Sequence, residues 1–389
     1  MFYSSIRENN GKDKMVRQTI NIITITGARP QFIKTASVSR AIKKNNDISG
    51  KTFIAEKILH TGQHYDDNMS RIFFEQLEIP EPQWNLNVGS ASHGKQTGEM
   101  LEKIESVLLK EKPDICVVYG DTNSTLAGAL AAAKLHFPIA HVEAGLRSFN
   151  KKMPEEINRL LTDHISRLLF CPTEVAVNNL KAEGVETGAH KTGDVMYDSI
   201  IYYSQKARNI TAKLLKKYNI QHKSFYLATV HRAENTDEKN HLSQIVQAFN
   251  RIAQPACPLI LPLHPRTVKY IHKYDLRLTE NVRILEPLSY LEMLALEENA
   301  KAILTDSGGI QKEAFCLGVP CITLRDETEW LETVQTGYNT LTGSDTQKII
   351  QTIKDLKENR PLDIQKFYGD GKASEKIVEI IVDFVTNKS

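Results

Sequence analysis

The sequence predicts an α/β protein made of two doubly wound domains with parallel sheets. Three observations lead there. Short apolar, β-branched runs alternate with longer helical patterns along most of the 389 residues. The alternation occurs twice, once between Ile20 and Leu168 and again between Phe225 and Leu324. Most strand-like runs end in polar turns, several with glycine, and doubly wound sheets gather their ligands at that end.

In the first half, Ile20 to Thr26 reads as a strand that runs into Gly27-Ala28-Arg29-Pro30-Gln31-Phe32-Ile33-Lys34. Pro30 suits the first turn of the next helix, where its missing N–H would be unpaired anyway. The turn is not GxGxxG, so no dinucleotide cofactor is implied. Ile54 to His60 is a strand ending in Thr61-Gly62-Gln63-His64, and Met69 to Leu77 is a helix. Lys95 to Lys110 is an amphipathic helix, with Met100, Ile104, Val107 and Leu108 at helical spacing. Ile115 to Tyr119 is a strand before Gly120-Asp121-Thr122, and Ser124 to Leu135 is an alanine-rich helix. Ile139 to Val142 is a strand before Glu143-Ala144-Gly145-Leu146-Arg147, and Pro154 starts a helix reaching Leu168.

In the second half, Phe225 to Val230 is a strand ending in His231-Arg232-Ala233-Glu234-Asn235, and His241 to Ile252 is a helix. Leu259 to Leu263 is a strand before His264-Pro265-Arg266. Val282 to Leu285 is a strand and Tyr290 to Asn299 a helix. Ala302 to Leu304 leads into Thr305-Asp306-Ser307-Gly308-Gly309, and a helical pattern begins near Ile310. Cys321 to Leu324 is one more strand. The expected organisation is an N-terminal extension over 1–18, a first domain over 19–198, a second over 199–371, and a last helix within 372–389 that crosses back to the first.

The chain carries 49 basic and 47 acidic residues, a net charge of +2, so bulk charge argues for neither nucleic acid nor membrane as a partner. No apolar run is long enough to cross a bilayer. Met1 to Gln18 is polar and lacks the apolar core of a signal peptide, which predicts a cytoplasmic protein. The five cysteines form no CxxC and no zinc-type set with histidine, which predicts buried free thiols and no metal.

The turn at Ser307 has the chemistry of an anion site. Ser307 is placed to cap the following helix, and Gly308 and Gly309 let backbone N–H groups approach a diphosphate at the positive end of the helix dipole. Glu313, one turn inside, could accept hydrogen bonds from a ribose diol. The plainer reading is a strand–helix turn with a capping serine. The other strand ends carry Arg29, Asp121, Glu143 and His231, with Lys34 and Glu155 nearby. Asp121 also reads as a helix N-cap, and Glu155 as a dipole-favoured first-turn acid. Several acids in one cleft should repel, so some should have raised pKa values and exchange protons near neutrality.

Six motifs in order complete the pattern: GARPQFIK (Gly27–Lys34), GDTNST (Gly120–Thr125), HVEAGLRS (His141–Ser148), PEEINR (Pro154–Arg159), VHRAEN (Val230–Asn235) and DSGGIQKEA (Asp306–Ala314). From Ile20 onward the chain resembles the non-hydrolysing UDP-N-acetylglucosamine 2-epimerases. The resemblance implies the two-domain, Rossmann-like glycosyltransferase-B architecture, a homodimer, and neither metal nor nicotinamide cofactor. It also implies a reaction: a proton leaves C2 as UDP leaves C1 by anti elimination, and UDP adds back to a 2-acetamidoglucal that is reprotonated on the other face. Carried over residue by residue, Asp121, Glu143 and Glu155 are the acid and base carboxylates. His231 supports C–O cleavage. Arg29, Lys34, Arg232, Ser307, Gly308, Gly309 and Glu313 bind the UDP-sugar. Which carboxylate gives and which takes the proton stays open.

Three departures point within the family. Gln31 stands where many members have Glu. Glu327-Thr328-Glu329-Trp330-Leu331-Glu332 replaces a Thr-Glu-Arg-Pro-Glu segment. Asp66 stands where the family's allosteric site has Gln. With Leu263-His264-Pro265-Arg266-Thr267 these resemble the subgroup acting on UDP-2,3-diacetamido-2,3-dideoxyglucuronate. Three rivals remain: a glycosyltransferase, a hydrolysing epimerase, and a non-catalytic nucleotide-sugar sensor.

Overall fold

In the first sheet, β1 (Gln18–Thr26) buries Ile20, Ile22, Ile23 and Ile25, as a strand covered on both faces must. The computed structural model describes residues 18–49, 52–63, 74–263, 265–356 and 364–387. Nearly all of the expected N-terminal extension, residues 69–73 of an expected helix, Asp66 and His264 lie outside the described residues.

The sheet continues with β2 (Thr52–His60), β3 (Trp84–Asn85), β4 (Ile115–Tyr119), β5 (Ile139–Val142), β6 (Leu168–Cys171) and β7 (Ala189–Lys191). Its strand order is β3-β2-β1-β4-β5-β6-β7. The second sheet uses β8 (Tyr226–Thr229), β9 (Leu259–Pro262), β10 (Val282–Leu285), β11 (Ala302–Thr305), β12 (Cys321–Thr323) and β13 (Asn339–Leu341), in the order β10-β9-β8-β11-β12-β13. Every strand pairing within the two sheets is parallel.

The order reverses between β1 and β4 in one sheet and between β8 and β11 in the other. Helices that leave adjacent strands there go to opposite faces, which opens a crevice at each reversal. Arg29 and Asp121 follow the strands at the first reversal, His231 and Ser307 those at the second. Register sharpens the placement. Tyr119 pairs with Val142, so Asp121 and Glu143 leave the sheet side by side. Thr305 pairs with Thr229, which does the same for Ser307 and His231.

The chain crosses between sheets on the 23-residue helix Val195–Lys217. Sequence reading did not anticipate it as a helix, and the expected boundary at 198/199 falls in its first turn. Met196 and Tyr203 of this helix share a core with Phe32 and Ile58 of the first half and Leu227 and Ile303 of the second. The helix Ala373–Thr386 returns, and Ile377, Val378 and Ile381 pack with Ile20, Ile22 and Ile115 of the first sheet.

One expected helix is shorter. It ends at Ile165, and Leu168–Cys171 pairs with β5 as β6. All four residues of β6 are buried, and a short, wholly apolar run cannot be told from helix by periodicity. The five cysteines are free thiols. Among the described residues no helix is long and apolar enough to cross a membrane.

Candidate active site

The turn after β5 holds Glu143 at a positive φ of 72°. A residue with a Cβ adopts this region only when its surroundings over-determine it. Here two ammonium groups do. Lys34 Nζ lies 2.5 Å from Oε1 and Lys312 Nζ 3.3 Å from Oε2, and all three side chains are buried. Gly120 makes room: a Cβ there would stand 3.2 Å from Lys34 Nζ and 3.6 Å from Glu143 Oε1. Burial alone would raise the Glu143 carboxyl, but the two cations overrule it and hold its pKa at about 2. The expectation of acids raised by mutual repulsion therefore fails at Glu143, because its nearest charges are lysines.

Asp121 is not a helix cap. Thr122 takes that position, its hydroxyl accepting from Thr125 N. The Asp121 carboxylate instead receives Arg159, at 3.0 Å from Nε and 2.6 Å from the second guanidinium nitrogen. Burial opposes the Arg159 charge, but Asp121, Glu329 and Glu156 outweigh it and raise its pKa. In the helix Pro154–Ile165, Glu156 is the engaged acid. It accepts from Ser148 N and Oγ, Phe149 N and Arg159. Glu155 is half-buried in the same first turn, and no hydrogen bond or ion pair ties it to another described residue.

On the second sheet, buried Asp306 builds the turn that carries His231. It accepts from the backbone N–H groups of His231 and Arg232 and from Asn235 Nδ2, and lies 3.3 Å from His231 Nδ1. The His231 ring keeps 42 % of its surface. Desolvation first, then the Arg232 and Arg29 cations, lower its pKa against the pull of Asp306, so it is neutral at pH 7.

Ser307 occupies the N-cap of the helix Gly308–Cys316, but its hydroxyl makes no capping bond. The first-turn N–H groups are therefore left without the side-chain cap expected of Ser307. A Cβ on Gly308 would collide with the Glu329 carboxylate, which Arg325 holds at 3.1 Å.

Arg29 and Glu313 act on each other's charge across the halves. Burial raises Glu313 to about 7, with Arg29, Tyr290 and Lys312 opposing. Burial also lowers Arg29, with Glu313, Tyr290 and Glu297 opposing. Behind them Glu297 is wholly buried, and neither of its carboxylate oxygens has a hydrogen-bond partner. Burial and then Glu313 push its pKa well above the ordinary carboxylate value, with Arg29 opposing.

The structure thus brings Lys34 into contact with Glu143 and sets Arg29 where its charge acts on Glu313 and His231. Sequence reading missed Lys312, Asp194, Arg159 and Asp306 as site builders. Three of them lay inside the quoted motifs, yet nothing in a linear pattern marks a charge as buried.

Two parallel doubly wound sheets, with both reversal points supplying one set of buried charges, define a glycosyltransferase-B type α/β protein. The family model described as UDP-N-acetylglucosamine 2-epimerase matches residues 46–382. A UDP-N-acetylglucosamine 2-epimerase homolog of Methanococcus maripaludis is 54 % identical, over 93 % of this chain and 99 % of that one. The UDP-2,3-diacetamido-2,3-dideoxy-D-glucuronate 2-epimerase of Pseudomonas aeruginosa is 51 % identical, over the same 93 % and 99 %. The crystal structure of Methanocaldococcus jannaschii UDP-GlcNAc 2-epimerase in complex with UDP-GlcNAc and UDP superposes with a TM-score of 0.83. It is 46 % identical, over 94 % of this chain and all of that one. The chain belongs to the UDP-N-acetylglucosamine 2-epimerase family.

Proposed function

We propose that the chain inverts C2 of a UDP-linked 2-acetamido sugar without releasing it, converting UDP-GlcNAc and UDP-ManNAc into each other. The observation that carries the mechanism is the placement of Glu143, an ionised carboxylate on one sheet, opposite an uncapped helix start on the other. Anti elimination sets the C2–H and C1–O bonds on opposite sides of the sugar. One wall of the cleft then offers the carboxylate and the other the diphosphate site.

In this reading the diphosphate lies at Ser307, Gly308 and Gly309, where N–H groups and the helix dipole stabilise the departing charge. Arg29, Lys34 and Arg232 add positive charge, and Glu313 accepts the ribose hydroxyls. The neutral His231 ring stands at the C1–O bond. Glu143, ionised at neutral pH, takes the proton from C2 in one direction while Asp121 or Glu155 gives one to the other face; in the reverse direction the roles exchange and Glu143 returns its proton. We further propose a cytoplasmic homodimer, joined on the stripe Ile157, Leu161 and Ile165, which are 45 %, 47 % and 36 % exposed on one helix face. Sedimentation at a single-chain mass overturns the dimer.

The test is proton NMR in deuterated water with each UDP-sugar. Deuterium should enter C2 of both epimers, because a carboxylate exchanges the abstracted proton. Epimers that keep the original hydrogen, or free N-acetylmannosamine as product, would exclude this function. The identity to the Pseudomonas aeruginosa enzyme favours a second reading, with UDP-2,3-diacetamido-2,3-dideoxyglucuronate as substrate. The same experiment with that sugar separates the two.

Glu313 yields a separate expectation. Glu313→Ala should weaken UDP binding by about 1–3 kcal/mol, the scale of a lost buried polar partner. The ionised form is the better acceptor and the pKa is near 7. UDP-sugar affinity should therefore rise between pH 6 and pH 8. The sugar diphosphate does not titrate there, so calorimetry on an inactive variant reads Glu313 directly. Affinity flat with pH and unchanged in Glu313→Ala places the ribose elsewhere.

A further inference from the structure

One buried charged cluster joins both sheets and both crossings between them. The helix Gly308–Cys316 opens at the proposed diphosphate turn and carries Lys312 one turn in. Lys312 is 1 % exposed, so protein groups must replace its water. Its Nζ lies 2.5 Å from Asp194 Oδ2, 3.3 Å from Glu143 Oε2 and 3.8 Å from the centre of the Trp330 ring. Asp194 caps the crossing helix Val195–Lys217 by accepting from Met196 N. Its own N–H donates to Tyr368 O on the returning segment. One ammonium therefore touches a strand end of the first sheet and the start of the crossing, from a helix of the second sheet.

We propose that Lys312 is a positioning residue for the C2 chemistry, aligning the Glu143 carboxylate across the cleft. Lys34, from the same half as Glu143, anchors Oε1 alone. A carboxylate held at one oxygen still rotates about its last bond. Lys312 anchors Oε2 and sets the plane of the group. The two anchors come from different sheets, so the plane is defined only when the helix bearing the Ser307 turn is seated against the first sheet. The adjacent Glu313 is the proposed ribose acceptor, so in this reading one helical turn receives the nucleotide and orients the carboxylate. Productive alignment is thereby tied to closure, which keeps an open cleft from abstracting the proton where water could reach the glucal. This rests on the epimerase reading above.

The experiment compares the wild type with Lys312→Gln and with the double variant Lys312→Gln, Asp194→Asn. In the double variant the carboxylate left behind is also neutral, and its amide oxygen can still cap the helix. The readouts are the C2 exchange rate at saturating UDP-sugar in deuterated water, and UDP affinity by calorimetry. A misaligned reacting group should lower kcat by about 100-fold. UDP affinity, read at pH 9 to keep Glu313 ionised once the Lys312 charge is gone, should be unchanged, because Ser307 and the Glu313 side chain are untouched. A folded variant with wild-type kcat overturns the proposal. So does a parallel loss of kcat and UDP affinity, which makes Lys312 a strut for its own helix. If Lys312→Gln alone does not fold, the double variant decides, and failure of both to fold assigns Lys312 to folding instead. Exchange absent from the wild type with either sugar overturns the epimerase reading itself, whereas exchange present there and unaltered in the variants overturns the role of Lys312 alone.

Discussion

Glu143→Gln should lower turnover by about 100- to 10,000-fold, the scale for a lost general base, while UDP affinity stays close to that of the wild type. The two effects separate because the groups lie on different sheets. Glu143 follows β5, whereas Ser307 and Glu313 belong to the turn and helix after β11. The amide cannot accept a proton, and it leaves Lys34 and Lys312 facing a neutral group. Some loss of stability should accompany the loss of rate, because a buried ammonium without a counter-charge is costly. Glu143→Asp is the control. It keeps the charge but shortens the reach, so it should retain more activity than the amide. Turnover by proton NMR, read beside calorimetry with UDP, checks both halves. Near-normal turnover in Glu143→Gln would remove Glu143 from the proton transfer and leave Asp121 and Glu155 to share it.

The largest expected effect on folding belongs to a residue outside the chemistry. Asp163→Asn should destabilise the protein by about 3–5 kcal/mol, the scale for breaking a buried ion pair from one side. Asp163 is wholly buried in the helix Pro154–Ile165. Its carboxylate lies 2.7 Å from His141 Nδ1 and 2.7 Å from Arg147 Nη1, and it accepts from Gly145 N. His141 donates through its other nitrogen, Nε2, to Gly120 O. This network therefore ties together the turns that present Asp121 and Glu143. Burial would raise the Asp163 pKa, but His141 and Arg147 outweigh it and lower it below the ordinary value. A depressed carboxyl contributes stability above its unfolded pKa of about 3.9, and that stability is lost as pH falls through the folded value. The wild type should thus lose stability steeply on acidification below pH 4, and the Asn variant should lose less. Chemical denaturation of both proteins at pH 7 and in acid measures the difference. Equal stability at pH 7 would show that the network contributes nothing to the fold.

Much of the architecture was legible in the amino-acid sequence because it depends on local chemistry. Buried parallel strands need apolar β-branched runs, and their carboxyl-end turns need polar or glycine residues. Hence β4, β5 and β10 and the helix Tyr290–Asn299 fall where the pattern puts them. The residues proposed for the site were chosen on the same kind of signal. Arg29, Lys34, Glu143, His231, Ser307 and Glu313 lie within motifs whose residue types suit a nucleotide diphosphate and a proton transfer. The short strands β3, β7 and β13 and the helix Val195–Lys217 escaped, since two or three residues carry no period and a half-buried helix has a weak one.

Only the tertiary structure decided who faces whom. Lys312 meets Glu143 across 169 residues, and Arg159 meets Asp121 across 38. The sign of a pKa shift follows from such encounters. Desolvation pushes every buried carboxyl up, and nearby cations and donated hydrogen bonds pull it back. Two acids alike in sequence therefore part ways, Glu143 held at about 2 by direct ion pairs with two lysines and Glu313 raised to about 7 by burial that Arg29 and Lys312 do not offset. Sequence names the ionisable groups, but the Coulomb energy that sets their charge depends on distances that only the folded chain supplies.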